Sequence, residues 1–364
     1  MKTLLKLSII LLSITLIGCS NPTDEKVVNV YNWSDYIDRS ILKQFTVETG
    51  IKIVYDVYDS NDVLETKLLA GHSNYDVVVP TVDFLSRQIQ AGVYRKLDKS
   101  KLSNLGNMWE LISKRTAIYD PGNAYSVNYM WGTVGIGYNV SKLKQRLPNM
   151  PFNSWKLFFD PKILEKFADC GVQVLDSAND IIPATLNYLG ENPDTKNPAT
   201  IAKAEAVLMA IRPFVQKFHS SEYIDALANG DICLAVGYSG DILQARNRAI
   251  EAGKSVEINY LVPDGGAMIW ADQMAIPADA PHPDNAHVFI NYMMRPEVIA
   301  KASNYVNYAN GNKASQKFLD PNVINNPSIY PSETAMARLY TISPYDMKVQ
   351  RILTRIWTRA VTGQ

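Results

Sequence analysis

The chain is poor in the residues that catalysis and metal binding draw on. Its 364 residues include only 3 Cys and 4 His. Lys and Arg total 36 against 36 Asp and Glu, and no basic patch argues for a nucleic-acid partner. His282 and His287 stand five residues apart, which turns them about 140° from one another on a helix and makes no metal pair. His219, in a Phe-His-Ser-Ser run, reads as a hydrogen-bonded structural residue. The stretch Gly132 to Gly137 is not G-x-G-x-x-G and no helix pattern follows it, so a nucleotide fingerprint is absent. Gly237-Tyr238-Ser239-Gly240-Asp241 misses the nucleophile elbow, because Asp241 stands where the last glycine belongs. An exported serine hydrolase using Ser239 and His219 is the alternative from another class. No enzymatic activity, catalytic residue, metal or cofactor is expected.

Long apolar runs are also missing beyond the N-terminus, so no later segment is expected to cross a membrane. Residues 1–19 read as a targeting segment. Lys2 and Lys6 give its positive end, residues 7–17 its apolar stretch, and Leu16-Ile17-Gly18-Cys19 its end. That ending resembles the lipobox of bacterial lipoproteins, in which the cysteine is lipidated and becomes N-terminal. An ordinary secretory signal cut nearby is the other reading. Either way the mature protein is exported, to the periplasm, with a lipid anchor at Cys19 under the first reading. Without Lys2 and Lys6 the remainder holds 34 basic against 36 acidic residues. Export admits a disulfide between Cys170 and Cys233; two buried free thiols are the other possibility.

What is present is an alternation of strand and helix patterns. Strands are predicted at 27–31, 51–57 and 75–79, with helices at 40–49, 61–70 and 84–91 between and after them. This order is the signature of a mostly parallel sheet with covered faces. Residues 126–140 are extended and glycine-punctuated, a candidate crossing between lobes. A second α/β region follows, with helices near 163–168, 181–189, 200–211 and 242–252 and a strand at 232–236. Residues 256–262 form a second candidate crossing. Helices are predicted at 285–295, ended by Pro296, and around 347–358. Two lobes discontinuous in sequence are expected: 26–134 with 259–308, and 135–258 with 309–364. The ligand cleft then lies between them.

Four short stretches at strand ends join an acid to aromatics. They are Trp33-Ser34-Asp35-Tyr36, Thr81-Val82-Asp83-Phe84, Tyr238-Ser239-Gly240-Asp241 and Trp270-Ala271-Asp272. Strand ends are where open α/β sheets bind ligands. Asp180 and Tyr308 complete the set. Asp180 and Asp241 also sit where simple helix N-caps would, and Tyr308 also reads as a packing residue. A linear diamine accounts for the composition. Each ammonium needs a carboxylate, because burying it unpaired costs several kcal/mol. The methylene middle needs flat walls, and rings add roughly 0.5–2 kcal/mol of cation–π attraction each.

Six stretches carry a family resemblance. They are Val30-Tyr31-Asn32-Trp33-Ser34-Asp35-Tyr36-Ile37, Tyr55-Asp56-Val57-Tyr58-Asp59-Ser60-Asn61, Asp76-Val77-Val78-Val79-Pro80, Gly135-Ile136-Gly137-Tyr138-Asn139-Val140, Leu227-Ala228-Asn229-Gly230-Asp231-Ile232-Cys233 and Arg355-Ile356-Trp357-Thr358. Together they resemble the extracytoplasmic polyamine-binding proteins of bacterial ABC transporters, the putrescine-binding member above all. The resemblance implies a two-lobed type II periplasmic binding fold that closes on its ligand, a membrane permease as partner, and a monomer. It implies that Trp33, Tyr36 and Trp270 are aromatic walls, that Ser34, Asp35, Asp241 and Asp272 are polar or acidic contacts, and that Tyr308 lies near an amine. It also implies the Cys170–Cys233 disulfide. The chain departs from the pattern at Tyr238 (usually Trp), Thr81 (usually Ser), Asp180 (usually Glu) and Trp270 (more often Phe), and Asp83 adds an acid. These departures leave the preferred polyamine open among putrescine, spermidine, cadaverine and agmatine.

Overall fold

The computed structural model describes residues 26–149 and 153–364; the leader and Cys19 lie outside the described residues. In chain order the strands are β1 (Val27–Trp33), β2 (Lys52–Tyr58), β3 (Val77–Val78), β4 (Ser126–Asn139), β5 (Val172–Val174), β6 (Lys217–Phe218), β7 (Leu234–Tyr238), β8 (Ile258–Leu261), β9 (Ile269–Ala275) and β10 (Ala309–Asn310). They form two lobes that share β4.

In the first lobe β1 pairs in parallel with both β2 and β3. Val28 and Val30 on one face of β1 and Val27 and Tyr31 on the other are all buried, as expected of a strand covered on both faces. β3 then pairs antiparallel with β9, and β9 with the first half of β4. In the second lobe β5 pairs in parallel with β6 and β7. The second half of β4 lies antiparallel between β7 and β8. The two expected crossings are thus β4 itself and the passage from β8 to β9.

Local signals set the helix ends. Asp38 accepts from the Ser40 N–H at the start of helix Arg39–Thr49, and Gly50 ends it in the left-handed region at φ 70°. Ser60 caps helix Asn61–Leu69 through the Val63 N–H. Pro296 does more than stop a helix. Helix Pro283–Met293 ends before it, and Pro296 opens a second helix, Pro296–Val306, from its first position. Proline suits that position because its missing N–H would be unpaired there anyway.

The stretch after Tyr308, expected in the second lobe, begins in the first. β10 pairs with Met130 and Trp131 of β4. The Trp109 N–H donates to the Gly311 carbonyl, and the Asn312 amide donates to the Met294 carbonyl. Only later does the chain reach the second lobe, where helix Met347–Thr362 is tied down. There Trp357 Nε1 donates to Asp176 at 2.8 Å, and Arg212 Nε to the Val361 carbonyl at 2.9 Å.

Candidate functional site

The loop after β1 divides its side chains between two directions. Tyr36 turns inward, is 6% exposed, and donates its hydroxyl to Asp272 Oδ2 at 2.8 Å. Trp33 is half-buried, donates Nε1 to the Val79 carbonyl at 2.9 Å, and packs on Tyr58 at 4.7 Å between ring centres. Ser34 and Asp35 are exposed and stand apart from the inward group. Ser34 Oγ donates to Asp59, and Asp35 lies 3.6 Å from Arg248 of the other lobe. Both were expected as ligand contacts; here each has a protein partner at the surface. Asp35 takes φ 53°, a turn conformation that a short polar side chain tolerates.

β9 carries the central acid. Its seven residues are all buried, and within it Asp272 lies beside the loop after β3. Thr81 donates its hydroxyl to Asp272 Oδ1 at 2.8 Å, while Asn61 donates to the same Thr81 oxygen at 2.9 Å. Two residues on, Asp83 accepts from Asn179 of the second lobe at 3.1 Å.

In the second lobe neither Asp180 nor Asp241 is a helix cap. Both lie in a first helical turn, behind Ser177 and Tyr238 at the cap positions. Asp180 accepts the Tyr238 hydroxyl at 2.9 Å. Asp241 accepts two phenols, Tyr308 at 2.5 Å on Oδ1 and Tyr223 at 2.6 Å on Oδ2. Tyr308 is therefore more than a packing residue. Tyr223 was not foreseen, and no local motif marks it.

Four rings join these acids into one array. Tyr238 meets Trp270 at 5.6 Å, Trp270 meets Tyr308 at 5.0 Å, and Tyr308 meets Tyr36 at 5.6 Å, all edge to face. Each of the three tyrosines places its hydroxyl on a different acid: Asp180, Asp241 and Asp272 in turn. Small residues make room for the rings. A Cβ on Gly132 would lie 2.6 Å from Trp270, and one on Gly240 would lie 2.6 Å from Tyr308.

The electrostatics are one-sided. Among the described residues no Lys, Arg or His forms an ion pair with Asp83, Asp180, Asp241 or Asp272. Burial raises the Asp272 carboxyl to about 7, with Thr81 and Tyr36 pulling it down and Asp83 and Asp180 pushing it up. Burial likewise raises Asp180 to about 6 against the hydrogen bonds from Ser177 and Tyr238. Asp83 and Asp241 are raised by burial too, eased for Asp83 by the more distant Arg87 and for Asp241 by its two tyrosines. Such a cluster of desolvated acids favours any ligand that brings positive charge. Trp270 Nε1 is buried and has no hydrogen-bond partner among the described residues.

The family model for bacterial extracellular solute-binding proteins matches residues 40–331. The chain belongs to that family. It is 50% identical over 364 residues to the putrescine-binding periplasmic protein SpuD of Pseudomonas aeruginosa, covering 100% of this chain and 98% of that one. It is 46% identical over 343 residues to the putrescine-binding periplasmic protein PotF of Escherichia coli, covering 94% and 93%. A solved structure, a putative spermidine/putrescine ABC transporter from Listeria monocytogenes, superposes with a TM-score of 0.79 at 29% identity, covering 92% of this chain and 98% of that one.

This solute-binding protein is not an enzyme, and the residues of the hydrolase alternative have other tasks. Ser239 is 1% exposed, and its Oγ accepts from the Thr133 N–H at 3.4 Å. His219 Nδ1 instead accepts the N–H groups of Ser221 and Glu222, both at 3.2 Å. The Cys170–Cys233 disulfide is present, with Cα atoms 5.7 Å apart. It joins the end of the short 3₁₀ helix Glu165–Cys170 to the residue preceding β7, within the second lobe.

Proposed function

We propose that this protein is the extracytoplasmic receptor of a polyamine ABC importer and takes putrescine or a close relative between its lobes. One observation carries the reading. Three tyrosines and a tryptophan stand edge to face in succession, and each tyrosine hydroxyl holds a carboxylate that forms no ion pair with a basic side chain among the described residues. A linear diamine supplies what that arrangement wants: a cation for acids at either end and methylenes for the rings between. Both relatives named above are putrescine-binding by name.

The site we assign comprises Tyr36, Thr81, Asp83, Asp180, Tyr238, Asp241, Trp270, Asp272 and Tyr308, with Trp33, Ser34 and Asp35 at its mouth. We take the first lobe as 26–134 and 259–308, extended through the residues that pack with β10, and the second as 135–258 with the C-terminal helix. Bringing the lobes together on ligand makes the form that a membrane permease recognises, so ligand shifts the population toward it. The protein works in the periplasm, and Cys19 anchors it there as a lipoprotein. Mass spectrometry of the native N-terminus tests the anchor, and an unmodified N-terminus would reject it.

Calorimetry of the mature chain with putrescine, cadaverine, spermidine and agmatine tests the function. The expected outcome is heat and a raised melting temperature with at least one of them. No heat and no thermal shift with any of the four would reject the ligand class.

A further inference from the structure

Tyr223 has the geometry to set the orientation and charge of the Asp241 carboxylate. It opens helix Tyr223–Asn229 and is fully buried. Its oxygen accepts the Tyr238 N–H at 3.2 Å and donates to Asp241 Oδ2 at 2.6 Å. The backbone N–H occupies an acceptor position, so the single phenolic proton is aimed at the carboxylate. Gly237 makes this possible, because a Cβ there would lie 2.6 Å from the Tyr223 ring. The other phenol on Asp241 differs in kind. Tyr308 packs in the first lobe against Tyr36 and Trp270, whereas Asp241 belongs to the second. Any separation of the lobes breaks the Tyr308 contact and keeps the Tyr223 contact.

We propose that Tyr223 is a positioning residue that holds Asp241 oriented and ionised in the second lobe before the lobes meet around a cationic ligand. The inference rests on the polyamine reading above. The charged and titratable groups facing Asp241 are Tyr223 and Tyr308 by contact, with Arg248 on its own helix, Tyr238 before that helix, and Asp35 and Tyr36 from the loop after β1 at longer range.

The test is Tyr223→Phe in the mature chain, titrated with putrescine by calorimetry from pH 5 to pH 8. Affinity is expected to fall about tenfold or more, as for the loss of one hydrogen bond to a charged group. Losing a donor to the ionised form also moves the pH below which binding weakens upward by about one unit. A residue that merely packs would leave that pH unchanged. Placing 3,5-difluorotyrosine at position 223 gives a stronger donor in nearly the same shape and should move the pH midpoint downward. Unchanged affinity and an unchanged pH profile in both variants would overturn the proposal while the wild type still binds. A wild type that binds no polyamine would instead overturn the function on which the proposal rests.

Discussion

Replacing Asp272 by Asn should make the ligand-free protein more stable and the receptor worse. Asp272 is 4% exposed, and its carboxyl is raised from 3.8 to about 7 by burial first of all. At roughly 1.4 kcal/mol per pH unit, keeping it ionised above pH 7 costs on the order of 4 kcal/mol. An unfolded chain releases this proton near pH 4. Between there and about pH 7 the folded protein binds more protons than the unfolded one. Stability therefore falls as pH rises through that window, and the penalty is complete above it. Asn carries no charge to bury. It keeps one acceptor for Thr81 or Tyr36 and replaces the other with an amide donor, a mismatch worth about 1–3 kcal/mol. The net gain should be about 1–3 kcal/mol at pH 8 and should turn into a loss of about 1–3 kcal/mol near pH 4, where only the mismatch is left. Binding moves the other way. Removing the counter-charge of a buried ammonium costs about 2 kcal/mol or more, a loss of at least about thirtyfold. Thermal melts at pH 4.5 and 8, with and without putrescine, read both effects, and calorimetry gives the affinity. A variant less stable than the wild type at pH 8 would refute the desolvation argument. An unchanged affinity would remove Asp272 from the site.

The same acids make binding depend on pH in the wild type. Asp272 and Asp180 take up protons as pH falls through about 7 and about 6, so putrescine affinity should weaken steadily from pH 8 to pH 5. Calorimetry in buffers of different ionisation enthalpy should show protons released on binding near neutral pH; heats independent of buffer would contradict it. Gly240→Ala should weaken binding by about tenfold, roughly 1.4 kcal/mol, since its new methyl must displace the Tyr308 ring from 2.6 Å. Equal affinity in a calorimetric titration would show that Tyr308 is free to yield. Replacing Cys170 and Cys233 together by Ser opens a loop with a sequence separation of 63 and should lower stability by about 4 kcal/mol in the chain-entropy model. A urea denaturation curve measures that loss, and putrescine affinity should stay within about twofold; a large change in affinity would tie the disulfide to the site.

Legibility from sequence followed the length scale of each feature. Acids and rings at strand ends were visible because the chain itself brings them together within four residues, and strand ends converge in this architecture. Asp272 with Trp270, and Asp241 with Tyr238, needed nothing more. Their partnerships were not visible, because each is made across lobes or between distant loops. Asp272 takes a phenol from Tyr36, 236 residues away in sequence. Tyr223 reaches Asp241 from a separate helix, and its neighbours Glu222 and Ile224 give no sign of it. Ser34 and Asp35 share the loop of Tyr36, yet both are exposed and Asp35 takes a left-handed turn, and residue type alone does not reveal such a turn. β10 is two residues long, too short to carry any periodicity, so the first lobe extends beyond Tyr308 without a signal. What unites the unseen partnerships is charge balance. Buried carboxylates without cations demand hydroxyl donors to hold them, and Tyr36, Tyr223, Tyr238 and Tyr308 meet that demand from four separate parts of the chain.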